Sequence, residues 1–301
     1  MINFVLIAVC IVAGWLFGNA GILPKDAHKG INAWLIYLAL PAISFKWLPH
    51  ITWSTHLLVP AAVPIIVWLG SWLCITLYAR KTRMDKASEG GLKLVTGLSN
   101  TSFVGFPLVT AWFGEKQLGT AVICDQATFL ILSTAGIVVA IHSSRSHVLS
   151  SKLVVKKLML FPPFIASVLA LTLPHFFDLS FFDPLFENLA ATTAPLALFS
   201  IGLQLQFSGW QQYKNTIAFA VAYKLLIAPA LVFCILLLLK INGIIAQVSV
   251  FEMAMPSLVS SGVVAAEYDL NPKLTSLVIG ASIMLSFLTT ACWHWLLVNF
   301  I

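Results

Sequence analysis

The sequence predicts an all-α polytopic membrane protein with ten transmembrane helices, and two observations support that prediction. First, 59% of the 301 residues are hydrophobic and 9% are charged, whereas soluble domains have about 25% charged residues. Second, the apolar residues form long runs, many of them near the roughly 20 residues that cross a bilayer as a helix. This composition excludes a soluble enzyme, a nucleic-acid-binding domain and a disordered chain.

The apolar runs define the spans, which we number in chain order. Strands of a membrane β-barrel would alternate polar and apolar residues in segments of about ten, and these runs are longer and do not alternate. No Lys or Arg precedes the first run, so we interpret it as a span rather than a cleaved signal peptide. The ten spans are 2–20, 30–49, 57–79, 90–113, 117–141, 158–173, 185–207, 215–239, 244–267 and 274–300.

The basic residues indicate how the spans are oriented. Because positively charged loops stay in the cytoplasm, we expect both termini outside the cytoplasm, in a cell membrane such as the bacterial inner membrane. The net charge of +6 is then a topology signal, and the expected partner is the lipid bilayer rather than nucleic acid. Thirteen of the seventeen basic residues lie in or beside the loops after odd-numbered spans: Lys25, Lys29, Arg80, Lys81, Arg83, Lys86, Lys93, Arg145, Lys152, Lys156, Lys157, Lys214 and Lys273.

An internal repeat is indicated by proline positions and by one constant shift. Pro41 in span 2 matches Pro195 in span 7, and a shift of 156 residues places Asn100 on Pro256. Five spans per repeat would give the second copy the opposite orientation, which is a feature of secondary transporters. The expected order is a first repeat, a cytoplasmic linker and a second repeat, at residues 1–141, 142–157 and 158–301.

Spans 4 and 9 each contain a polar segment at which we expect the helix to break. Polar segments inside a membrane require a place within protein beside a cavity, and free half-helix N-termini suit a carboxylate. The alternative is a pair of kinks packed against neighbouring helices. The candidate substrate-binding residues are Asn100, Thr101, Ser102, Pro256, Ser257, Ser260 and Ser261. The residues expected to interrupt the helices are Gly97, Gly105, Pro107 and Pro256.

Three ionisable residues, Asp125, Lys224 and Glu252, lie inside predicted spans, where a charge is costly and usually functional. One interpretation is a coupling site in which a carboxylate binds H⁺ or Na⁺ and Lys224 balances the charge or meets an anionic substrate. The alternative is a buried ion pair that only joins helices. Lys46, near the end of span 2, is interpreted as reaching the membrane interface. The cysteines lack metal-ligand spacing, so we expect neither a metal nor another cofactor.

The segment Leu-Ser-Asn-Thr-Ser-Phe-Val-Gly-Phe-Pro-Leu (98–108) and the later Ala-Met-Pro (254–256) resemble the auxin efflux carrier family, which includes plant PIN carriers and bacterial malate or malonate permeases. The resemblance covers nearly the whole chain. It implies an inverted five-plus-five repeat with crossed, interrupted helices 4 and 9, usually in a homodimer. It also implies a scaffold of spans 1, 2, 6 and 7 and a moving transport core of spans 3–5 and 8–10. Asn100 inherits the role of the family's substrate-carboxylate asparagine, and Ser99 replaces the proline that plant members have before it.

The leading hypothesis is a secondary transporter, such as a symporter, of a small mono- or dicarboxylate. Alternating access through an elevator mechanism would expose a site at the crossing of spans 4 and 9, and no enzymatic activity is expected. One alternative is a non-transporting sensor or receptor on the same fold. Another is an intramembrane enzyme that uses Ser260 or Ser261, although no His lies at the middle of a span to act as its base. A channel is disfavoured because the polar residues are confined to two patches.

Overall fold

The computed structural model describes residues 2–24, 26–50, 55–144, 162–204 and 210–301, and within these ranges the chain is nearly all helical and has no strand. The predicted all-α class is therefore confirmed. The helices of the described ranges are α1 (Ile2–Asn19), α2 (Ala27–Trp34), α3 (Leu40–Trp47), α4 (Leu58–Thr82), α5 (Lys86–Gly97), α6 (Phe106–Phe113), α7 (Leu118–Ile131) and α8 (Ile137–Ser143). They continue with α9 (Pro162–Thr172), α10 (Asp183–Ala191), α11 (Thr193–Gln204), α12 (Lys214–Ala222), α13 (Ala228–Leu238), α14 (Ile244–Met253), α15 (Val259–Glu267) and α16 (Pro272–Phe300).

Several consecutive helices are joined through a wider π turn instead of a loop. The turn Leu35–Ala39 joins α2 to α3, and Tyr223–Ile227 joins α12 to α13. Pro41 and Pro229 stand in the first turn of the helix that follows. Because proline has no N–H and its ring crowds the preceding turn, a locally widened helix accommodates it. Each pair of helices joined in this way forms one continuous helical segment.

The described part of the chain contains five segments that are long and apolar enough to cross a membrane, which fits a multi-pass helical membrane protein. The segments are Ala27–His50, Leu58–Thr82, Glu115–Ser143, Trp210–Leu238 and Pro272–Phe300. Four apolar helices are shorter: Val5–Asn19, Thr101–Phe113, Pro162–His175 and Ile244–Met253. The ten-span inverted repeat depends on these shorter segments as well, so it stays a prediction.

The predicted span 7 consists of two helices, because α10 and α11 are separated at Thr192. Pro195 cannot donate an amide hydrogen bond to the carbonyl of Ala191, four residues earlier. At the same place, the Thr192 hydroxyl donates to the Leu189 carbonyl at 2.7 Å. Of the predicted cytoplasmic linker, residues 145–157 lie outside the described residues, as do the basic residues Lys25, Arg145, Lys152, Lys156 and Lys157.

The helices form two compact units. The first contains the described residues of Met1–Ser54, Ser102–Val122 and Leu158–Leu205. The second contains the described residues of Thr55–Thr101, Ile123–Lys157 and Gln206–Ile301. The chain therefore passes from the second unit into the first after Thr101 and returns after Val122.

In the first unit, α1 packs along α11, and α3 packs against α9 and α10. The α1–α11 contact depends on glycine. A Cβ atom at Gly14 would overlap the carbonyl oxygen of Phe199, and one at Gly202 would overlap the carbonyl oxygen of Ile11. Small residues at such positions let two membrane helices approach backbone to backbone.

In the second unit, α5 is the central helix, and it packs against α4, α8, α15 and α16. Its sequence is only weakly apolar, yet every residue from Gly90 to Gly97 is buried. The helix begins at Asp85, whose side chain accepts a hydrogen bond from the Ser88 amide at 3.0 Å and so caps the first turn. One hydrophobic cluster on α5 includes Leu94 and Leu98, and another includes Leu92 and Val95. This packing fixes the position of the end of α5, where the candidate site begins.

We expect Gly202→Val to lower the melting temperature of the purified protein by several degrees. The added side chain must push α1 away from α11, and overpacking of this kind costs about 1–3 kcal/mol. The matched control is Gly30→Ala in α2, where a Cβ atom meets nothing within 4 Å and alanine improves helix propensity by about 1 kcal/mol. Thermal unfolding followed by tryptophan fluorescence should separate the two variants, and equal melting temperatures would contradict the close packing.

Candidate functional site

The two helix breaks of the second unit lie side by side. The backbone N–H of Asn100 donates to the Pro256 carbonyl at 2.8 Å, and the backbone N–H of Leu258 donates to the Leu98 carbonyl at 3.0 Å. Ser99 and Ser257 face each other as an antiparallel bridge. We call residues 98–101 and 254–258 the junction. Its pairing satisfies backbone groups that would otherwise lack partners, which is the condition for non-helical backbone at membrane depth.

Local sequence explains why the helices end there. Pro256 has no backbone donor, and it disfavours helical geometry in the residue before it. Ser99 and Asn100 follow α5, and side chains of these types compete with the helix for backbone hydrogen bonds. Gly97 is required for a different reason, because a Cβ atom there would overlap the indole ring of Trp68. The end of α5 therefore lies directly against α4.

The polar side chains of the junction are removed from the surface. Asn100, Thr101 and Ser257 have no exposed surface. The Thr101 hydroxyl donates to Asp125 Oδ1 at 2.6 Å, and the Ser257 amide donates to the Ser282 hydroxyl at 3.1 Å. The Ser257 hydroxyl has no hydrogen-bond partner among the residues that the structure describes. It is therefore a buried polar group with unused hydrogen-bonding capacity.

The structure brings the three predicted ionisable residues together beside the junction. Lys224 lies in the π turn between α12 and α13, and its Nζ donates to the Ser99 hydroxyl at 2.5 Å and to the Met253 carbonyl at 3.3 Å. Glu252 is fully buried one residue before the end of α14. It interacts electrostatically with both Asp125 and Lys224. Neither Glu252 carboxylate oxygen has a hydrogen-bond partner within the described ranges, so no hydrogen bond joins it to Lys224.

The remaining predicted residues are divided between the two units. Ser261 is buried at the start of α15, where its hydroxyl donates to the Leu258 carbonyl at 2.6 Å, while Ser260 beside it is half-buried. Ser102, Gly105 and Pro107 belong to the first unit, because the chain leaves the second unit after Thr101. Gly105 immediately precedes α6, and Pro107 is the second residue of that helix. Helix α5 ends at Gly97, before either residue, so neither of them interrupts it.

Sequence reasoning did not identify every group at the site. It left Ser99 out of the candidate residues, although Ser99 directly precedes the candidates Asn100, Thr101 and Ser102 in the sequence. In the structure, the Ser99 hydroxyl accepts a hydrogen bond from Lys224. It also missed Cys124, which is buried, hydrogen-bonded to the Ser249 side chain and in electrostatic range of Glu252. The Met253 carbonyl carries no signal in the sequence, because a main-chain oxygen is present at every residue.

A separate cavity of about 320 Å³ lies within the first unit and includes Lys46 in its lining. The Lys46 ammonium lies 3.3 Å from Glu187 and 3.7 Å from Glu115, and 5.2 Å from the centre of the Trp47 ring. Its side chain is 24% exposed. Lys46 thus takes part in an ion-pair cluster at a cavity, in addition to any role at the membrane interface.

Comparisons with known proteins agree with the membrane-transport interpretation. The sequence profile described as membrane transport protein matches residues 1–294. An uncharacterized transporter of Methanocaldococcus jannaschii is 28% identical, over 98% of this chain and 97% of the relative. A putative malonate transporter of Rhizobium meliloti is 25% identical, over 93% of this chain and 90% of the relative. The family that the motifs at 98–108 and 254–256 indicate is thereby confirmed, and the chain belongs to the membrane transport protein family of auxin efflux carrier-like transporters.

Proposed function

We propose that this protein is a secondary transporter that carries a small organic anion, a mono- or dicarboxylate, across the cell membrane by alternating access. The observation that carries the proposal is the junction, where the buried Ser257 hydroxyl has no partner among the described residues and where Ser99 bonds to a buried lysine. Family membership supports membrane transport. The name of the Rhizobium meliloti relative, a putative malonate transporter, supports a carboxylate as the substrate class.

The chemistry of the junction suits a carboxylate substrate. Helix α15 begins at Val259, and no side chain caps its first turn. The amide groups of this first turn carry the partial positive charge of a helix N-terminus. The Asn100 side chain and the Ser257 hydroxyl lie in the same junction and supply hydrogen-bonding groups. In this proposal one substrate carboxylate binds there, and Lys224 balances part of its charge.

The proposed transporter also has a coupling ion and a specific arrangement of its ten spans. Asp125 and Glu252 are the candidate sites for a coupling ion, either H⁺ or Na⁺, and Lys224 is the balancing charge. The ten spans would form an inverted five-plus-five repeat whose helices 4 and 9 cross at the junction, with both termini outside the cytoplasm. In a homodimer, a core of spans 3–5 and 8–10 would then move in an elevator-like manner while spans 1, 2, 6 and 7 serve as the scaffold.

We expect proteoliposomes that contain the wild-type protein to take up at least one carboxylate of a panel that includes malonate, malate and monocarboxylates. Asn100→Ala should reduce the initial rate at least tenfold, because an amide that bonds a substrate carboxylate contributes about 1.5–3 kcal/mol. The matched control is Asn299→Ala near the end of α16, whose amide bonds to the Trp295 carbonyl. Wild-type uptake equal to that of empty vesicles for the whole panel would refute carboxylate transport.

Ser257→Ala tests whether the junction is built for a ligand rather than for stability. The Ser257 hydroxyl is buried without a partner in the described residues, so its removal should leave the melting temperature unchanged or raise it slightly. If a substrate bonds to this hydroxyl, the KM for uptake should rise about fivefold or more. A variant with lower stability and an unchanged KM would show that the hydroxyl is structural.

A further inference from the structure

Lys224 bonds to uncharged oxygens of both broken segments. Its Nζ donates to the Ser99 hydroxyl, which follows α5, and to the carbonyl of Met253, the last residue of α14. The side chain has no exposed surface. Glu252 lies in electrostatic range of Lys224, but no hydrogen bond joins the two side chains. The bonds to two neutral oxygens therefore require an explanation beyond the pairing of two charges.

These oxygens are the kind of ligands that an alkali cation takes at a broken membrane helix. In transporters, unwound backbone carbonyls and the C-terminal ends of half-helices coordinate coupling ions. The Ala254 amide bonds to the carbonyls of Val250 and Phe251, whereas the Met253 carbonyl accepts from the lysine. That carbonyl lies at the negative end of the helix dipole of α14. The ammonium group therefore lies where the surrounding oxygens suit a monovalent cation.

Glu252 supplies an anionic group in electrostatic range of this position. Glu252 is fully buried, and its carboxylate oxygens have no hydrogen-bond partner among the described residues. It interacts electrostatically with Lys224 and Asp125. A buried carboxylate is stable only with a compensating charge or donor. Lys93, the other buried lysine of the described ranges, is bonded to Glu89 at 2.6 Å. Lys224 is thus the cation that compensates this carboxylate.

We propose that the Lys224 ammonium is a covalently attached substitute for a coupling Na⁺, and that the carrier therefore works without Na⁺. Removal of the ammonium group should then uncover a binding site for an alkali cation, formed by the Ser99 hydroxyl, the Met253 carbonyl and the Glu252 carboxylate. This inference deepens the proposed function, since it selects between the two coupling ions, and it rests on that function for its meaning in transport.

The test is thermal unfolding of the purified full-length protein in NaCl, LiCl, KCl or choline chloride at constant ionic strength, without any carboxylate. The wild-type melting temperature should be the same in all four salts. Lys224→Met keeps most of the side-chain volume but removes the charge. It should melt several degrees lower in choline chloride, and an alkali cation should restore the melting temperature in a saturable way, as expected for a ligand of the folded state.

Two further variants identify the source of any recovery. Lys93→Met, which removes the other buried ammonium, should lose stability equally in all four salts. The double variant Lys224→Met/Glu252→Gln has no buried carboxylate to compensate at this position, so it should be more stable than Lys224→Met in choline chloride and should not respond to alkali cations. A double variant that responds as strongly as Lys224→Met would overturn the assignment of Glu252 as a ligand.

The proposal fails if Na⁺ raises the wild-type melting temperature in a saturable way, or if Lys224→Met shows no preference for alkali cations over choline. The wild-type measurement needs no variant, so the proposal stays testable even if Lys224→Met does not fold. Because every measurement is made without substrate, its outcome is independent of carboxylate uptake. A failure of uptake would count against the proposed function and leave the cation result unaffected.

Discussion

The backbone pairing of the junction is the constraint on which the rest of the second unit depends. A helix that breaks within a membrane releases amide and carbonyl groups, and each one left unsatisfied costs about 1–3 kcal/mol or more. Here the groups released after α5 pair with those released after α14, through Asn100 with Pro256 and Leu258 with Leu98. Neither break could exist at this low cost without the other. The two polar segments are thus a single structural feature, although they are far apart in the chain.

Close packing holds this feature in place. Because α5 is surrounded by helices on several sides, its own weak hydrophobicity is unimportant and its small residues are essential. Gly91 and Gly97 approach Leu270 and Trp68 too closely to accept a side chain. The end of α5 is therefore positioned by α4, and its middle by the loop before α16. A site built on such a rigid helix end keeps its geometry without help from a bound ligand.

Electrostatics then gives the junction its chemical character. Burial of Asp125, Lys224 and Glu252 opposes folding, and apolar residues of similar size would often be as stable or more stable. Their cost is reduced by specific contacts, namely the hydrogen bond from Thr101 to Asp125 and those from Lys224 to two neutral oxygens. The partial charge of the α14 C-terminus contributes to the same balance. A cluster of this kind stabilises poorly but responds strongly to the arrival of another charge.

The sequence by itself determined the helical membrane class, the family and the residues at which helices 4 and 9 are expected to end. These properties depend on composition and on local backbone chemistry, such as the missing N–H of Pro256 and the competing hydrogen bonds of Ser99 and Asn100. The sequence also singled out Asp125, Lys224 and Glu252, because a charge in an apolar run is visible without a structure. It did not reveal the division of span 7 at Thr192, since the apolar pattern continues through that residue. Only the tertiary structure decided what Lys224 touches. Its partners lie 125 and 29 residues away, and one of them is a main-chain oxygen. Hydrophobic periodicity describes how a helix faces its surroundings, whereas such a contact exists only after packing has brought distant segments together.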